Sequence, residues 1–141
     1  MIMCNKCWEV FKEDSERWSS CPKIGCDGIF IPMDENLLEA CKILSKKNYV
    51  VMCGELEKQD NYWFELYIDI RGKHDFDDLP KDYGVLEDCD DFGDITTIKM
   101  YFATHEACSS SIELQKKIWK VAQDILEWVE ALEPYVESDS G

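Results

Sequence analysis

The sequence predicts an α+β fold: a small cysteine-held ribbon, then a three- to four-stranded antiparallel sheet with two helices on one face. Three observations carry this expectation. Two close cysteine pairs, Cys4/Cys7 and Cys21/Cys26, stand thirteen residues apart at the front of the chain. Two later stretches alternate apolar and polar side chains with the period of half-buried strands, and two others repeat apolar residues at helical spacing. Ribbon, helix, strands and helix follow in that order, which is the layered α+β arrangement, with the strands expected as a meander.

Residues 1–33 read as the ribbon. Cys4, Cys7, Cys21 and Cys26 are soft thiolate ligands whose paired spacing suits a tetrahedral zinc site, closed to water and substrate. A rubredoxin-like iron site uses the same ligands, and a zinc finger that touches a partner uses the same frame. Trp8-Glu9-Val10-Phe11 is expected as one short strand, residues 12–16 as a polar turn, and Gly28 to Pro32 as a second strand. About thirty residues bury too little apolar area to fold alone, so the metal must hold them. Trp8, Phe11, Trp18 and Phe30 are expected to cover the cage and dock it. Lys6 and Lys23 lie inside the knuckles, where they offset its charge.

Residues 34–136 read as the α+β domain, and 137–141 as a frayed polar tail. Asp34 suits a helix N-cap, with Met33 and Leu38 placed as a hydrophobic staple. Leu37, Cys41 and Leu44 continue the stripe, and Lys46-Lys47-Asn48 ends the helix. Tyr49 to Cys53 is a short strand that Gly54 should stop. Tyr62, Phe64, Leu66, Ile68 and Ile70 face one way, against Trp63, Glu65, Tyr67 and Asp69 on the other side. Ile98, Met100 and Phe102 alternate with Thr97, Lys99 and Tyr101, and Val85-Leu86-Glu87 is a candidate fourth strand. The final helix opens on a Ser110/Glu113 capping box. Ile112, Ile118, Ala122, Ile125, Val129 and Leu132 form its stripe, widened by Leu114, Trp119, Val121, Leu126 and Trp128. A stripe that wide packs on both sheet and ribbon, or serves as a homo-oligomer surface.

Charge narrows the function classes. The net charge is −15, of which residues 1–33 hold −1 and residues 34–141 hold −14. Nucleic-acid binding draws on a cationic surface, so a nucleic-acid partner is disfavoured and a basic protein partner favoured. No stretch approaches the roughly 18 apolar residues of a membrane span. The front of the chain shows no secretory signal, so the cytoplasm, where thiols stay reduced, is the expected location.

The remaining reactive groups are few. Cys41 belongs to a helical stripe and is expected in the core. Cys53, Cys89, His105 and Cys108 could form a second metal site, or Cys53 or Cys108 could pair with His105 as a nucleophile. No phosphate loop, nucleophile elbow or His-Glu-x-x-His motif is present. Residues 75–94 carry nine carboxylates and one lysine, Lys81, and read as a solvated loop. They fail the EF-hand pattern, because Phe92 and Lys99 occupy ligand positions. Beside the aromatic sheet face, these acids would make a protein-binding surface: Trp63, Tyr67, Tyr101, Asp88, Asp90 and Asp91 are the candidate contact residues. A competing patch joins Lys6, Lys12, Arg17 and Lys23 to Trp8 and Trp18, where single-stranded nucleic acid or a nucleotide would stack.

The run Cys21-Pro22-Lys23-Ile24-Gly25-Cys26-Asp27-Gly28, then Ile31-Pro32-Met33-Asp34-Glu35, then Leu44-Ser45-Lys46-Lys47-Asn48-Tyr49, resembles small uncharacterised zinc-ribbon proteins of bacteriophages and Gram-positive bacteria. Leu79-Pro80 and the strand from Ile98 to Phe102 resemble that group's C-terminal half. The group tends to carry a Cys-x-Gly-His cluster where this chain has Cys53-Gly54-Glu55-Leu56. The resemblance implies a phage-borne accessory protein and no established activity. The expectation is a non-enzymatic, acidic zinc-binding interaction protein, one that modulates a host or defence protein.

Overall fold

The computed structural model describes residues 2–4, 6–11, 21, 24–58, 63–103 and 111–136. Its front is a three-stranded antiparallel sheet in which β1 (Ile2–Cys4) lies between β2 (Val10–Phe11) and β3 (Phe30–Pro32). Strand β1 was not expected, and it delivers Cys4 directly into the first knuckle. The expected strand from Trp8 is shorter, because Trp8 sits at φ 62, a left-handed turn conformation that breaks the extended run. Residues 12–20, 22 and 23, with the polar turn, Lys12, Arg17, Trp18 and Lys23, lie outside the described residues.

Asp34 caps as expected: its carboxylate accepts from Asn36 N at 2.9 Å. A 3₁₀ turn (Glu35–Leu37) leads into α1 (Leu38–Lys46). Asn48 at φ 74 then ends the helix in the left-handed conformation expected of it.

The main sheet has the order β4-β5-β7-β6, with β4 (Val50–Lys58), β5 (Trp63–Arg71), β6 (Tyr83–Asp90) and β7 (Gly93–Ala103), every pair antiparallel. This is not a simple meander. Residues 72–82 carry the chain past the place that β7 later fills, and the β6–β7 hairpin folds back into the gap. Residues 75–82 of the acidic stretch lie outside any strand, as expected, but β6 runs past the expected Val85–Glu87 to Asp90, so Asp88 and Asp90 are strand where a loop was expected. Asp90 pairs with Gly93, whose φ of 136 no other residue type adopts readily, and the Asp90 carboxylate accepts from Phe92 N at 2.8 Å.

Gly54 does not stop its strand either. It lies inside β4, where an added Cβ would come within 2.9 Å of Cys41 Sγ and 3.0 Å of Met33 Sδ. Glycine here admits a close approach of helix to sheet. The same residue forms a parallel bridge to Met33, and Asp34 N donates to its carbonyl at 2.7 Å. Between Val51 and Cys53 the register slips by one residue, so Met52 forms a bulge.

The alternation in β5 and β7 holds. Phe64, Leu66, Ile68, Ile70, Ile98, Met100 and Phe102 are buried under the two helices, together with Leu37, Cys41 and Leu44 of the first helical segment. Met3, Ile31 and Met33 from the ribbon belong to the same apolar cluster. Helix α2 (Ser111–Ala131) buries Val121, Ile125 and Val129, with Leu114, Ile118, Trp128 and Leu132 packed beside them. Of the expected stripe, Ile118, Ile125, Val129 and Leu132 face the core, while Ile112 is exposed, as is Trp119 from the widened set. Ser110 and the Glu113 side chain, the expected capping box, lie outside the described residues, as do residues 137–141.

The Lys47 ammonium closes the far end of α2, donating to the carbonyls of Val129, Glu130 and Leu132 at 2.8, 2.7 and 2.6 Å. One cation thereby serves three carbonyls at and just past the helix C-terminus, with the favourable sign for the helix dipole. Tyr135 N donates to Lys47 O at 2.8 Å, tying the segment after α2 to the same turn.

Candidate functional site

Strand β1 ends on Cys4 and the following turn presents Cys7. The Sγ atoms of Cys4, Cys7, Cys21 and Cys26 all lie within 4.8 Å of one another. Cys4 and Cys26 sulfurs are 3.6 Å apart, as are those of Cys7 and Cys21. A disulfide needs about 2.05 Å, whereas four sulfurs at about 2.3 Å from one zinc stand about 3.8 Å apart. The donor set and its spacing fit a tetrahedral, four-thiolate metal site. Among the described residues this is the one group of three or more His, Cys, Asp or Glu side chains placed to hold a metal ion.

Local backbone supports the thiolates. Lys6 N approaches Cys4 Sγ at 3.4 Å. Burial alone would push the Cys4 thiol up, but the backbone N–H groups of Cys7 and Lys6 and the neighbouring thiols outweigh it, bringing Cys4 down to about 7. Lys6 itself is paired with Asp27 at 2.9 Å, on the surface of the knuckle. Trp8 packs against the core with Lys46 Nζ 5.3 Å from its ring centre, and its buried indole N–H has no acceptor among the described residues.

The other cysteines fall apart in space. Cys41 is in the core, as its helical position predicts, where burial pushes its thiol up. Cys53 pairs with Asp69 on the sheet face away from the helices, and its Sγ donates to Asp69 Oδ2 at 3.4 Å. Burial first, and then the Asp69 charge, push this thiol up to about 12, so it stays protonated and unreactive at neutral pH. Cys89 is exposed and pairs with Asp94, which its place in β6 turns toward the opposite face. Cys53 and Cys89 therefore do not share a site. His105 and Cys108 lie outside the described residues. The second histidine, His74, is buried and uses Nε2 to donate to the Arg71 carbonyl at 2.9 Å.

The open face of the main sheet carries the candidate contact residues. Trp63 and Tyr101 are 48% and 50% exposed, large for aromatic side chains on a strand. Rows of cross-strand pairs connect them. Lys99 Nζ is 2.6 Å from Glu65 and 5.2 Å from the Tyr101 ring centre. Thr97 donates to Asp69 at 2.6 Å, and the Tyr67 hydroxyl donates to Glu55, with Glu57 Oε1 3.1 Å away. Asp88 and Asp90 lie on this face at the hairpin end, Asp91 is in the turn itself, and Asp90 takes a two-pronged contact from Arg71 at 2.8 and 3.1 Å. Tyr101 and Ile95, the partner of Asp88, are six residues apart in β7, about 20 Å at strand rise. Aromatic and acidic groups thus mark two ends of one face.

Sequence reasoning missed a third feature, a cleft where Tyr49, His74, Phe76, Trp128 and Tyr135 come together. These residues span most of the chain, and only the local run His74-Asp75-Phe76-Asp77-Asp78 hinted at it. No family model, curated protein or solved structure matches this chain.

Proposed function

We propose that this chain is a non-enzymatic, acidic interaction protein. Zinc held by Cys4, Cys7, Cys21 and Cys26 staples the ribbon, and the open sheet face engages a basic or mixed-charge protein in the cytoplasm. The observation that carries the reading is the saturated donor set: four converging thiolates leave no coordination position for a substrate or an activated water. The Cys53 thiol, held protonated beside a carboxylate, offers no nucleophile in its place. The open face supplies exposed aromatic anchors at one end and the hairpin carboxylates at the other, two patches of kinds found in protein contacts. The resemblance to phage zinc-ribbon proteins makes a host or defence protein the natural target.

The test has two arms. Elemental analysis of the purified chain should return one zinc per molecule. Immobilised protein should capture a partner from host lysate, and reversing the charges at Asp88, Asp90 and Asp91 should abolish the capture. A metal-free folded protein, or capture that survives the charge reversal, overturns the reading.

A further inference from the structure

On the helical side of the sheet a cleft of about 590 Å³ opens between residues 73–78, the end of α2 and Tyr49. Its volume lies within the usual range of ligand pockets. The wall is aromatic and continuous. His74 stacks on Phe76 with ring centres 5.3 Å apart and meets Tyr135 edge-on at 4.9 Å; Phe76 meets Trp128 edge-on at 5.3 Å.

Hydrogen bonds to backbone fix most of these rings. Trp128 Nε1 donates to Asp77 O at 3.1 Å, and Tyr49 Oη donates to Glu133 O at 3.0 Å. His74 is held at both ends: Nε2 donates to Arg71 O, and its backbone N–H donates to Thr96 Oγ1 at 3.0 Å. Thr96 in turn donates to Gly72 O at 2.7 Å. The wall is preorganised, so a ligand need not order it.

The rim is acidic. Asp75, Asp77, Asp78 and Glu133 line the cleft against one cation, Lys73. None of these carboxylates forms an ion pair among the described residues. Aromatic faces attract cations through the ring quadrupole, and unpaired carboxylates attract them by charge. A flat guanidinium satisfies both demands at once: it stacks on a ring and presents a fork of donors to a carboxylate.

We infer that this cleft receives an arginine side chain from a basic protein partner. The inference rests on the reading of the chain as a binder of a basic partner, but assigns to that partner a contact away from the open sheet face. Phosphate and carboxylate ligands meet the rim's net negative charge, and a purely apolar ligand leaves the carboxylates unused.

The experiment titrates the metal-loaded full chain, labelled with ¹⁵N, with N-acetyl-arginine amide, N-acetyl-lysine amide and N-acetyl-norleucine amide. The expected result is saturable shifts with arginine at the Trp128 indole N–H and the amides of residues 73–78 and 131–135. Binding of norleucine should be at least about tenfold weaker, and lysine should fall between. Asp77→Asn combined with Asp78→Asn should weaken arginine about tenfold. Glu35→Gln combined with Glu39→Gln, an equal charge change elsewhere, should leave it unchanged. The inference is overturned if arginine gives no saturable shift, if norleucine or lysine binds as well as arginine, or if the shifts spread evenly over all acidic surface. A bound arginine in the cleft, alongside lysate capture that ignores the hairpin charges, would retire the sheet-face contact and keep this one.

Discussion

The ribbon and the sheet–helix body are held together by different physics. The ribbon strands have three, two and three residues, and contribute few buried side chains beyond Met3 and Ile31. Their shape follows the four thiolates. The body has strands of eight to eleven residues and an inner face of Leu, Ile, Met and Phe covered by two helices. Cohesion there comes from apolar burial, at about 25 cal/mol per Å². Local ligand chemistry can fix a short segment that area cannot, whereas a sheet needs many residues acting together. The two regimes meet at Met33 and Gly54, where ribbon, helix and sheet touch.

Breaking the ribbon alone is the sharpest test of this contrast, and carries the largest effect. Cys21→Ser should lose the metal, whose coupling to folding in small zinc modules is on the order of 10 kcal/mol. Hydrogen exchange should then show β1–β3 amides losing protection while the amides of β5 and β7 keep theirs. Equal loss in both sheets would mean that the two regions form one cooperative unit.

A smaller effect is expected where they meet. Gly54→Ala forces a Cβ against Cys41 Sγ and Met33 Sδ and should cost about 1–3 kcal/mol, as overpacking does. A lower urea midpoint at unchanged slope would register it, and adding Cys41→Ala should recover part of the loss. The smallest change lies within the body. Lys47→Met removes the ammonium that caps α2 and should cost about 1–2 kcal/mol, read from thermal unfolding.

Much of this was legible in the sequence where one signal decides one element. The thiolate spacing marked the four cysteines whose sulfurs converge, Asp34 and Asn48 marked the ends of the first helical segment, and the period of β5 and β7 placed each side chain on its face. Signals with two meanings misled. Gly54 reads as a strand breaker until the helix beneath it is seen. Asp88 and Asp90 read as a loop, because strand propensity is weak for acids and the β6–β7 pairing that overrides it is tertiary. The apolar excess of α2 exceeds what one face can bury, so periodicity placed Ile125 and Val129 correctly but could not separate them from Ile112 and Trp119, which stay exposed. The aromatic cleft was invisible because residues 49, 74, 128 and 135 meet through the fold alone.

The hairpin has a consequence for how the protein behaves at high concentration. Strand β6 is one of the two rims of the main sheet, and its outer backbone is a template on which another chain could extend the sheet. Exposed Leu86 would favour such stacking, but Glu87, Asp88 and Asp90 follow it immediately. Two copies approaching rim to rim bring these like charges together and repel. The same acids thus act as gatekeepers against fibrous self-association, a protection that fades as added salt shortens the range of the repulsion.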